Sequence, residues 1–90
     1  MALSVVLHRV DDYDAWRKVY DEAAPLQQAA GVLEESVYRM TDDANHVLVL
    51  HRFATPDEAE AFLASDEMRG AMARAGVQPD SLRIELFEEA

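Results

Sequence analysis

Cysteine is absent from this chain of 90 residues, which excludes disulfides and thiolate metal sites. With three His and no Cys, the composition argues against a structural zinc site. Glycine is scarce: three residues are too few for the usual phosphate-cradling loops, and no flavin, nicotinamide or P-loop motif occurs. The chain is therefore expected to use no cofactor and no metal. Positive charge is also short. Eight Lys and Arg face eighteen Asp and Glu, a net charge of −10 that repels phosphate backbones and argues against nucleic-acid partners. No apolar run approaches the ~18 residues of a membrane span, and residues 1–10 are too short and too polar for a signal peptide. The expectation is a soluble, cytoplasmic protein with no membrane partner. Half of the residues are apolar, but fifteen of those are Ala, so the larger core side chains are few. A single domain over residues 1–90 buries only about 60% of its unfolded surface, which favours oligomerisation.

What is present has a clear order. Residues 3–10 are short and β-branched and read as a strand. Asp11 and Asp12 offer N-caps to a helix over residues 13–30. Its apolar positions Tyr13, Trp16, Val19, Tyr20, Ala23, Leu26 and Ala30 recur at helical spacing. Pro25 should kink or split that helix, and Gly31 should end it. Residues 32–40 and 46–53 read as two strands of a hairpin around a loop at 41–45. Thr55-Pro-Asp-Glu58 is a capping box that starts a helix through Phe62 and Leu63. Ser65 looks like a second cap, with a further helical piece to about Ala75, closed by Gly76. Pro79-Asp80 is a turn, and residues 81–88 form a fourth strand.

The order is β-α-β-β-α-β, and an internal repeat supports it. Val5-Val-Leu-His-Arg9 resembles Leu48-Val-Leu-His-Arg52 at an offset of 43, and Ala30-Gly-Val32 resembles Ala75-Gly-Val77 at an offset of 45. Two βαβ halves related by a pseudo-twofold make an α+β, ferredoxin-like βαββαβ fold with a four-stranded antiparallel sheet. The first and third strands are expected at its centre, side by side and parallel, with the second and fourth on the edges.

Strand parity sorts side chains into two faces. Leu3, Val5, Leu7, Leu48, Leu50, Leu82, Ile84 and Leu86 form a purely aliphatic set, expected under the helices. The other set carries Val6, His8, Val10, Val47, Val49, His51, Phe53, Arg83, Glu85 and Phe87, with Tyr38 and Met40. Two helices cannot cover both faces, so the second should meet a partner. A homodimer pairing these faces around a shared cavity is the simplest arrangement.

Three stretches carry a family resemblance. They are Val5-Val-Leu-His-Arg-Val-Asp-Asp-Tyr-Asp-Ala-Trp16, the Ala29-Ala-Gly-Val32 turn, and His46-Val-Leu-Val-Leu-His-Arg-Phe53 continued by Thr55-Pro-Asp-Glu-Ala59 and Phe62-Leu-Ala-Ser65. Together they resemble the dimeric α/β-barrel superfamily, and more narrowly the small antibiotic biosynthesis monooxygenase-like proteins, some labelled cyclases. The resemblance implies two monomers pairing sheet faces, and one of many chemistries, since fold alone does not assign activity. The superfamily's haem-degrading members have a cavity Trp where this chain has Phe53, an Asn near His8 and a ligand His near Met72. All three differ here, which argues against haem degradation.

The repeat places His8 and His51 at equivalent positions, and parallel adjacency would bring the two imidazoles into contact in the cavity. Imidazole titrates near neutrality and suits a general base or acid; the bland alternative is a pair of hydrogen-bonded polar fillers. Tyr38 could donate to an enolate and Arg83 could hold an anion, although Arg83 and Glu85 equally suit a cross-strand ion pair. Val6, Val49, Phe53, Arg83, Glu85, Phe87 and Trp16 would line the cavity and bind substrate, Trp16 serving as helix core as well. The expected catalytic set is His8, His51 and Tyr38. The expected function is a cofactor-free cyclase or monooxygenase acting by acid–base chemistry on a small aromatic or polyketide-like molecule. The alternative is a non-catalytic homodimeric binding or scaffold module.

Overall fold

A computed structural model describes residues 1–90. The elements are β1 (Ala2–Arg9), α1 (Tyr13–Glu22), α2 (Ala24–Ala30), β2 (Glu34–Met40), β3 (Asp43–Phe53), α3 (Pro56–Leu63), α4 (Asp66–Arg74), a 3-10 turn (Pro79–Ser81) and β4 (Arg83–Glu88). Local chemistry accounts for most boundaries. The Asp12 carboxylate accepts from the Ala15 N–H at 3.0 Å and starts α1. Pro25 splits the long helix by sitting in the first turn of α2, where its missing N–H costs nothing. Gly31 ends α2 at φ 97°, a left-handed conformation that favours glycine. The Thr55 hydroxyl accepts from the Glu58 N–H at 3.2 Å and caps α3, and the Ser65 hydroxyl accepts from the Met68 N–H at 3.2 Å and caps α4. The capping box closes differently from its usual form: the Thr55 hydroxyl donates to the Glu58 carboxylate at 3.3 Å.

The sheet order is β2-β3-β1-β4, with every neighbouring pair antiparallel. The expected central pair is correct, but its expected parallel direction is not. The α1–α2 crossover returns β2 in the direction of β1, and the hairpin then reverses β3. That hairpin is tighter than its sequence suggests: β3 begins at Asp43, so the five-residue loop shrinks to Thr41 and Asp42, with a register shift at Arg39/Met40. β2 likewise begins at Glu34 rather than at residue 32, and β4 at Arg83 after the 3-10 turn.

The helix-covered face is the reverse of the expected one on the two central strands. Ala2, Ser4, Val6, His8, Val10, Val47, Val49, His51 and Phe53 are buried beneath the helices. Leu3, Val5, Leu7, Leu48 and Leu50 lie on the open face and are only partly buried. On the edge strands the expected sides hold. Ile84 and Leu86 pair with Val6 and Ser4 on the helix side, while Arg83, Glu85 and Phe87 pair with Leu7, Val5 and Leu3 on the open side. The small side chains of Ala2, Ser4 and Ala59, each 1% exposed or less, allow α3 to pack closely on β1. The core divides in two: Val6, Val10, Trp16, Val47, Val49 and Ala75 form one cluster, and Phe53, Ala59 and Phe62 another.

Candidate active site

A cavity of about 70 Å³ lies between the sheet and the helices. Val6, His8, Val49 and His51 form its floor, Trp16 and Tyr20 of α1 roof it, and Phe62, Met68 and Met72 close its far side. Twelve of its fifteen lining residues are hydrophobic, so its few polar groups stand in an apolar setting. No group of three or more His, Asp or Glu is placed to hold a metal ion.

The two imidazoles share this cavity but do not touch. The register pairs His8 with Val47 and His51 with Ser4, four residues apart along the sheet, or about 13 Å at ~3.3 Å per residue. The pseudo-twofold explains the separation. Val6 and Val49 are the one register pair that is also a repeat pair. Each His lies two residues beyond that point, and on antiparallel strands this carries them in opposite directions. Equivalence in the repeat therefore separates the rings, which corrects the expected contact. They also face the helices of their own protomer, not a cavity between two sheets.

An aromatic row spans the gap. Trp16 and Tyr20, one helical turn apart, stack at 4.8 Å between centroids. His8 lies 5.8 Å from Trp16, and His51 lies 6.1 Å from Tyr20 with ring planes 20° apart. The polar surroundings of the two imidazoles differ. Both ring nitrogens of His8 are buried without a hydrogen-bond partner, as is the Ser4 hydroxyl. His51 Nε2 is 3.0 Å from the Tyr20 hydroxyl, which donates to Glu35 Oε1 at 2.6 Å. Burial pushes the His8 pKa down to about 4, assisted by His46 nearby. Burial also pushes His51 down to about 4, against the opposing pull of Glu35. Both rings are thus neutral at pH 7, able to accept a proton at one nitrogen and donate from the other. Burial and the Glu35 carboxylate hold the Tyr20 phenol protonated above its ordinary range.

Of the residues expected at the site, Val6, His8, Trp16, Val49 and His51 come together. Phe53, fully buried, packs against Phe62 in the neighbouring cluster with ring planes 46° apart and does not line the cavity. Tyr38, Arg83, Glu85 and Phe87 sit on the open face, because β2 and β4 place them opposite Leu48, Leu7, Val5 and Leu3. Arg83 pairs with Glu85 of its own strand at 3.2 Å. Tyr38 and Arg83 therefore cannot serve the cavity holding His8 and His51. Tyr20, Gln27, Phe62 and Met68 line that cavity and were not expected there. Tyr20 and Gln27 carry a recognisable signal, since they continue the face of Trp16 at positions i+4 and i+11 along the helical stretch.

The model of the antibiotic biosynthesis monooxygenase family matches residues 8–74 of this chain. No curated protein matches it. Among solved structures, SnoaB of Streptomyces nogalater, a cofactor-independent oxygenase, superposes with a TM-score of 0.80 at 14% identity, covering 99% of this chain and 92% of SnoaB. A candidate antibiotic biosynthesis monooxygenase from Caulobacter crescentus CB15 gives 0.78 at 20% identity, covering 99% and 89%. One from Bordetella bronchiseptica gives 0.79 at 12% identity, covering 99% and 96%. At these identities the likeness is one of fold.

Proposed function

Since the chain belongs to the antibiotic biosynthesis monooxygenase family, we propose that it is a cofactor-free tailoring enzyme for a small aromatic or polyketide-like molecule. Its active site is the cavity under its own helices. The observation that carries this reading is a pair of buried, neutral imidazoles facing one apolar space, one of them without any partner. His51 removes a proton from a phenol or an acidic C–H and becomes an imidazolium. The electron pair left behind is delocalised through the conjugated substrate to an oxygen at its far end, where the His8 N–H donates. The substrate carbanion then either attacks its own carbonyl, giving a cyclised alkoxide, or adds O2 to give a peroxide anion, and the His51 imidazolium returns its proton to form the hydroxyl or hydroperoxide and regenerate the base. The fold shared with a cofactor-independent oxygenase supports the second route.

A cavity of about 70 Å³ is smaller than a drug-sized ligand site. α4 contributes no buried residue, and Met68 and Met72 are flexible side chains. Substrate entry displaces them. On the open face Leu3, Val5, Leu7, Leu48 and Leu50 make an apolar surface with the exposed Tyr38 and Phe87 beside it. A second copy pairing this face makes the homodimer, and the sheet-to-sheet seam is separate from the reaction cavity.

The test is turnover of a panel of polyhydroxylated aromatics and 1,3-diketones, read as O2 uptake and as product mass. His51→Gln should abolish turnover and His8→Gln should reduce it at least tenfold, with the fold of both intact. Saturable binding without turnover in the wild-type protein would favour the non-catalytic module instead.

A further inference from the structure

Glu35 lies outside the cavity, on an exposed edge strand, yet it stands directly across from His51 in the β2–β3 register and on the same face. Tyr20, descending from α1, is hydrogen-bonded to both. The chain of contacts has a direction. A carboxylate only accepts hydrogen bonds. At 2.6 Å from Glu35, the Tyr20 hydroxyl spends its single proton on that oxygen. Its own oxygen then has only lone pairs to offer His51. The contact at 3.0 Å is a hydrogen bond only if His51 Nε2 carries the ring proton. In a neutral imidazole that leaves Nδ1 with the lone pair.

We infer that Glu35 and Tyr20 are positioning residues that fix His51 as the Nε2–H tautomer and make Nδ1 its proton-accepting atom. The chemical meaning of this assignment rests on the function proposed above; the tautomer itself does not. When Nδ1 takes a substrate proton, the Nε2–H remains donated to Tyr20 and the new positive charge faces a chain ending in a carboxylate. His8 has no such chain, and both of its nitrogens are unpartnered. Its tautomer is free to follow whatever group a ligand presents. One ring is set in advance as base, and the other adapts.

The experiment is long-range 1H–15N NMR of the imidazole nitrogens in the intact, ligand-free protein at pH 7. Wild-type His51 should show a protonated-type Nε2 and an unprotonated-type Nδ1, with the tautomer favoured roughly tenfold or more by the charge-assisted chain. Glu35→Ala, a surface change, should release the Tyr20 hydroxyl to donate in either direction, so that the two His51 15N shifts move toward each other. Tyr20→Phe should do the same while keeping the ring in the stack. The His8 shifts should stay unchanged in Glu35→Ala and act as the internal control. A protonated Nδ1 in wild-type His51, or His51 shifts unmoved by Glu35→Ala, overturns the assignment. Correct tautomers without turnover would instead count against the proposed function and leave this assignment standing. Turnover lost in His51→Gln together with a protonated wild-type Nδ1 would do the opposite.

Discussion

His8 and His51 hold equivalent places in two similar βαβ halves, and both are buried, desolvated and neutral. They differ in what their nitrogens meet: none for His8, and for His51 a hydroxyl backed by a carboxylate. A buried polar group without a partner costs free energy that a hydrogen bond would offset. The half containing His51 has resolved that cost within the fold, and the half containing His8 has left it for a ligand to resolve. The pseudo-symmetry thus places two similar rings at opposite ends of one cavity, and the surroundings assign them different work.

The largest effect should come from a charge placed between the two rings. Val49 is 4% exposed, at the centre of the pseudo-twofold. Val49→Glu buries an unpaired carboxylate at a cost of several kcal/mol, enough to unfold a domain of this size. The next residue, Leu50, points to the open face. Leu50→Glu should leave the protomer folded by circular dichroism and convert the proposed dimer to a monomer by light scattering. A folded, dimeric Val49→Glu protein would contradict the face assignment.

A smaller effect is expected from pH. Both imidazoles have pKa values near 4 when folded, against 6.5 for the unperturbed group. Above pH 6.5 both are neutral in either state, and their stabilising contribution is fully present. As the pH falls from 6.5 toward 4, the unfolded chain binds protons that the folded protein refuses, and stability falls. The loss is about 3 kcal/mol per ring and ends near pH 4. Urea denaturation across this range should show the slope, and His8→Leu should remove about half of it. At neutral pH the two rings should part company. His8→Leu removes a buried unpartnered group and should stabilise the protein by about 1 kcal/mol or more, whereas His51→Leu removes a hydrogen bond and should destabilise it by a similar amount.

These contrasts also explain what the sequence could reveal. The caps at Asp12, Thr55 and Ser65, the split at Pro25 and the stop at Gly31 are local signals, and the structure realises each of them. The repeat correctly linked His8 with His51 as equivalents, but distance depends on strand direction, which the hairpin reverses. The face of the sheet was hidden for another reason. Alternation reveals the buried side when one face is polar. Here both faces of β1 and β3 are apolar, and the helices cover the set with His and Ser rather than the set with Leu. The chain Glu35–Tyr20–His51 depends on the β2–β3 register, set by a two-residue turn and a register shift at Arg39/Met40. No local motif encodes it.

The cavity under the helices holds two neutral imidazoles, one with Nε2 bonded within the protein and the other with both nitrogens unpartnered. The most direct measurement is NMR titration of the His8 and His51 rings, alone and with a saturating polyhydroxylated aromatic. Both should titrate near pH 4 in the free protein. On binding, the ring nitrogens of His8 should shift strongly while Nε2 of His51 keeps its proton. A ring titrating near 6.5 in the free protein, or a bound ligand that leaves His8 untouched, would contradict this division of roles.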